Sequence, residues 1–94
     1  MKKILINNEE VMQIGSDDKR VLSMAGMPVV TDWPNVSNDV LLGRSINARS
    51  NLTKHTDEYL DNAVSLTDID RVTKKLDLLG AKLSAKTPVK LVVL

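Results

Sequence analysis

His55 is the one imidazole in the sequence, and cysteine is absent. A lone histidine without thiols cannot supply the ligands of the usual zinc site. Asp57 and Glu58 beside it fall at a helix start, which gives them a capping role. Disulfides and a cysteine nucleophile are excluded by the same composition. Serines are numerous, but none lies in the G-x-S-x-G surroundings that expose a hydrolase nucleophile. Neither glycine-rich phosphate loop, G-x-G-x-x-G or G-x-x-x-x-G-K-[ST], is present. Two carboxylate pairs remain, Asp17-Asp18 and Asp68-x-Asp70, each at a helix start. On a helix, an Asp-x-Asp pair diverges by about 200°, which is poor geometry for one metal. The expectation is a protein that is not an enzyme, with no catalytic residue, metal, cofactor or small-molecule substrate.

The sequence carries 13 basic and 12 acidic side chains, unevenly placed. Residues 31–62 hold three basic and five acidic groups, whereas residues 63–94 hold six and three. This C-terminal excess is mild and has no interleaved aromatics, so it reads as a solvated face before a nucleic-acid footprint. Arg71, Lys74, Lys75, Lys82 and Lys86 could share one basic face, with the preceding helix completing a helix-turn-helix. Asp68 and Asp70 would then stand where base-reading side chains belong, and would repel phosphate. A nucleic-acid partner is therefore the second choice. Met1 to Ile6 begins like a secretion leader but is cut short by Asn7, Asn8, Glu9 and Glu10. No stretch is long enough to span a membrane, and neither secretion by a signal peptide nor a membrane partner is expected. The Asn35-Val36-Ser37 and Asn51-Leu52-Thr53 matches to the glycosylation pattern are then fortuitous.

The elements that must position these groups centre on Ser65 to Leu83. Ile69, Val72, Leu76, Leu79 and Leu83 recur at three and four residues, one stripe of a helix. Ser65 with Asp68 forms a capping box, with Val64 and Ile69 as its hydrophobic staple; Thr67 with Asp70 offers a second register. Gly80 is the expected stop. As a coiled-coil seam the stripe has two heptads and only basic g positions, Lys75 and Lys82, so packing within the domain or a subunit bundle is favoured.

Lys2 to Asn7 reads as a strand, and Glu10 to Ile14 alternates. Asn7-Asn8 between them suits a hairpin turn, and a helical turn or loop over residues 9–14 is the alternative. Ser16 can cap a short helix that carries Asp17 and Asp18 and is closed by Gly26 and Pro28. A helix follows from Asn38 to Ser50, capped by Ser37 or Asn38, with Leu41, Ala48 and Leu52 on one face and Ser45 and Arg49 interrupting the arc. Residues 51–56 either break or continue it. Asp57 to Val64 forms another helix with Tyr59, Leu60, Ala63 and Val64 inward, and a turn near Ser65 separates it from the Ile69 stripe.

Pro28 and Pro34 bias their neighbours toward extended backbone, which predicts Trp33 on an extended segment, at a core edge or anchoring a partner. Val89 to Leu94 is a strand candidate apolar on both faces: Val89, Leu91 and Val93 on one, Val92 and Leu94 on the other. A half-exposed strand would alternate with polar residues, so this one is expected to be covered, by Lys2–Ile6 or by a neighbouring chain. The fold class expected is α+β, a single small domain over residues 1–94. It is a helical body of two to four short helices with terminal β-arms at 1–7 and 88–94.

The stretch from Asn47 to Asp70, through Arg49-Ser50-Asn51-Leu52-Thr53-Lys54-His55-Thr56 and Asp57-Glu58-Tyr59-Leu60, resembles the small polar helical segments of tailed-phage virion proteins: fibre, decoration and head–tail adaptor subunits. The likeness is one of texture, with Asn, Asp, Ser and Thr among sparse aliphatics. It implies a cytoplasmic or virion-borne structural protein and carries over no site residue. The function expected is non-enzymatic assembly through protein–protein contacts, with a protein partner or as a homo-oligomer. Trp33, Val89, Leu91, Val92, Val93 and Leu94 are its interaction residues. The alternative is a small inhibitor or regulator binding a host protein or nucleic acid.

Overall fold

A computed structural model describes residues 1–85 and 88–94. Strand β1 (Lys2–Ile6) turns through Asn7-Asn8 into β2 (Glu9–Ile14). Both asparagines have positive φ, 52° and 68°. That is the geometry of a two-residue turn whose twist matches the strands, and Asn tolerates it. The last strand, β3 (Leu91–Val93), lies antiparallel on the other side of β1, so the sheet order is β2-β1-β3. The C-terminal strand therefore pairs within the chain, shorter than the run read from sequence.

Between β2 and β3 come α1 (Ser16–Met24), a 3-10 helix (Val30–Asn35), α2 (Asn38–Lys54), α3 (Thr56–Asp61) and α4 (Leu66–Leu83). The architecture is α+β, one sheet against a helical layer, with two helices longer than expected. A single core joins Ile4, Ile6, Met12 and Ile14 of the sheet to Leu41, Ala48 and Leu52 of α2 and to all five stripe residues of α4. Ser65 accepts from the Asp68 N–H at 3.0 Å while the Asp68 carboxylate accepts from the Ser65 N–H at 3.3 Å, so the first capping register is the one used. Gly80 does not stop α4. The helix runs on to Leu83 because that residue is still buried, and burial outweighs the roughly 1 kcal/mol that an interior glycine costs. In α2, Ser45 falls on the buried face, only 2% exposed, where an interruption was expected; its hydroxyl has no hydrogen-bond partner among the described residues.

Two helices close in the same way. At the end of α1 the Gly26 N–H bonds to Ser23 and the Met27 N–H to Leu22, with Gly26 at φ 93°. At the end of α3 the Ala63 N–H bonds to Leu60 and the Val64 N–H to Tyr59, with Ala63 at φ 64°. Ala63 is thus exposed rather than part of the inward face. Its left-handed backbone costs an alanine about 1–2 kcal/mol, more than glycine's extra unfolded-state freedom of about 0.4–1 kcal/mol. Ala63→Gly is expected to stabilise the protein by roughly 0.5–1 kcal/mol in urea unfolding. A loss of stability would show that the side chain contributes more than its backbone costs.

Candidate functional site

The sheet has one face on the core and one facing out. The Lys3 N–H bonds to the Leu94 carbonyl (3.3 Å) and the Leu94 N–H to the Lys3 carbonyl (2.8 Å), and Leu5 is opposite Val92. Because strand side chains alternate, Leu5, Val92 and Leu94 share the outer face while Ile4, Ile6 and Leu91 share the inner one. Leu91 is buried in the core, with Val89 and Val93 packed against it. Leu5 and Val92 are half-buried and stand outside the core cluster, and Leu94 is 60% exposed. The five C-terminal residues singled out in the sequence are thus divided. Three serve the inner face, and Val92 and Leu94 form an outward apolar row with Leu5. Lys3, Lys90 and Gln13 surround it, and the Gln13 amide donates to the Glu10 carboxylate at 2.7 Å.

Trp33 lies in the 3-10 helix, not on an extended segment. Pro34 follows it there because a 3-10 turn tolerates proline's fixed φ. The indole is 2% exposed within the core and forms one wall of a cleft of about 280 Å³ with Met27, Pro28, Val29, Asp32 and Arg44.

The charged cluster that sequence reading missed surrounds Asp18. The residue is 4% exposed. Its carboxylate accepts from Arg71 Nε at 2.7 Å, from Lys75 Nζ at 2.8 Å and from the Gly15 N–H at 3.0 Å. Arg71 also donates to Asp68 at 2.8 Å. Burial pushes the Asp18 carboxyl up, but the bonds from Lys75, Gly15 and Arg71 together hold it below the usual carboxylate value. Asp18 is legible as a first-turn residue of α1; its cationic partners lie more than fifty positions away, on α4. The basic face read on α4 is divided as a result. Arg71 and Lys75 turn to Asp18, Lys74 pairs with Asp70 at 2.9 Å, and Lys86 lies outside the described residues.

His55 sits in the joint between α2 and α3, half-exposed, with Nδ1 3.1 Å from Glu58. Among the described residues, no group of three or more His, Cys, Asp or Glu side chains is placed to hold a metal. No helix among them is long and apolar enough to cross a membrane. Comparison with protein-family models, with curated proteins and with solved structures finds no match.

Proposed function

We propose that this chain is a non-enzymatic structural or assembly protein that works through protein–protein contacts. The observation that supports this reading is the outward row of Leu5, Val92 and Leu94, aliphatic side chains on a sheet face that the core leaves uncovered. A solvated face of an antiparallel sheet normally carries polar residues, and an apolar patch with a polar rim is the usual mark of a contact surface. The likeness of residues 47–70 to tailed-phage virion proteins favours a virion as the larger assembly.

The test is Val92→Lys, a change on the outer face that leaves the inner face intact. Native assemblies retrieved with the wild-type protein, weighed by light scattering and identified by mass spectrometry, are expected to be lost with the variant while its melting temperature stays within a few degrees. A wild-type protein that assembles with nothing, or a variant that retains every contact, would remove the reading.

A further inference from the structure

The outer edge of β2 offers a second surface, separate from the sheet face. Within β1, Lys3 and Asn7 bond toward β3, so Lys2, Ile4 and Ile6 are the residues that bond toward β2. Gln13, opposite Lys3, therefore turns its N–H and C=O away from the sheet. Its carbonyl accepts from Lys75 Nζ at 2.6 Å. Among the described residues, its N–H has no backbone partner outside the strand ladders. A groove of about 410 Å³ runs between this edge and α4, lined by Val11, Gln13, Arg71, Lys74, Lys75 and Leu78. Val11 is half-buried where a bulge in β2 turns it from the outer face, and Leu78 is 41% exposed. Three cations line the groove, Arg71 and Lys75 bonded to Asp18 and Lys74 to Asp70 within the chain.

We infer that this groove takes the β2 strand of a second copy of the chain, forming a two-fold antiparallel pair that joins two sheets into one. The occupant follows from the charge pattern along β2 itself. The strand starts Glu9-Glu10 and ends beside Arg71, Lys74 and Lys75. Antiparallel pairing about a two-fold near Met12 carries the acidic start of each strand to the basic end of the other. Rotation about an axis normal to the sheet keeps faces on the same side. Glu9 opposes Ile6, an inner-face residue, and so meets the partner copy's α4 layer. Within its own chain, Glu9 has no ion pair among the described residues. Val11 and Leu78 lie nearest the axis and supply its apolar centre. The Gln13 carbonyl, held by Lys75 in the single chain, accepts a strand N–H from the second copy. This is an isologous contact, closed at two copies, and it leaves Leu5, Val92 and Leu94 free.

The experiment is light scattering with size-exclusion chromatography on the full chain, from micromolar to millimolar concentration. The wild type is expected to reach twice the 10.4 kDa of the single chain. Leu78→Glu and Glu9→Lys should each shift the protein to single-chain mass with an unchanged circular dichroism spectrum. Glu9→Lys combined with Lys74→Glu should restore the dimer. A wild type that stays at single-chain mass throughout overturns the inference, as does a dimer indifferent to both single variants. A dimer lost only with Val92→Lys assigns self-association to the outer face and overturns the edge pairing, leaving the assembly reading in place.

Discussion

Leu79→Ala is expected to cost about 3–5 kcal/mol in urea unfolding, and Leu76→Ala nearer to 2, although both belong to the same stripe of α4. Leu79 is fully buried within the core cluster. Truncating it leaves a void walled on all sides, and a closed core cannot relax to fill it. Leu76 is nearly as buried but borders a cleft of about 210 Å³ with Leu42, Ser45, Ile46 and Gly80. There the lost volume merges with space already open toward solvent, and the exposed Ile46 can settle inward. The transfer term is common to both substitutions, so their difference reports the cavity term. Equal costs would show that the cleft beside Leu76 does not relieve the cavity, and a loss below about 1 kcal/mol at Leu79 would show that the stripe is not the centre of the core.

Asp18→Asn is expected to cost about 3 kcal/mol at neutral pH. The amide keeps one acceptor but turns a donor toward Lys75 or Arg71, which are themselves donors. The low end of the usual range applies because the side chains of Arg71 and Lys75 are 37% and 24% exposed and can turn to water. The effect carries a pH signature of fixed sign. The folded carboxyl releases its proton more readily than the unfolded one, whose value is 3.8. As the pH falls below about 5, the unfolded chain therefore takes up the proton first and stability declines. This contribution is full above the unfolded value and is lost as the pH passes down through the lower, folded one. Asp68 acts in the same direction through its bonds with Ser65 and Arg71, and it remains in the variant. The gap between wild type and Asp18→Asn should narrow in acid, where wild-type Asp18 is protonated too. A gap that is constant from neutral to acid pH would assign the loss to packing instead of charge.

The parts of the fold that sequence revealed are those whose causes are local. The stripe and cap of α4 lie within one helix, and the Asn7-Asn8 turn is set by two residues that tolerate positive φ. Sequence misleads where a local rule meets a distant partner. Gly80 stops a helix only when nothing beyond it needs burial, and Leu83 does. Trp33 between prolines reads as extended until the core claims the indole, and a 3-10 turn places it there. Ser45 breaks the apolar arc by its chemistry but not by its position. Asp18 was the largest omission, because a carboxylate in a first helical turn is normally solvated. Only the packing of α1 on α4 brings two cations over it. The C-terminal run is apolar on both faces, and packing of Val89, Leu91 and Val93 on the core accounts for one of them. Val92 and Leu94, on the other, are the part of the candidate site that sequence alone had marked.

The antiparallel pairing of β1 with β3 also fixes how the protein responds to force. The start of β1 lies beside the end of β3, joined by the reciprocal Lys3–Leu94 bonds. A pull between the two chain ends therefore acts across the strands, at one edge of the ladder. The bonds part in sequence, Lys3–Leu94 first and Leu5–Val92 after it, as a zipper opens, and never share the tension as strands pulled in shear do. The domain is mechanically weak along that one direction. In any assembly under tension, force is better carried through the helical layer or across the sheet than through its termini.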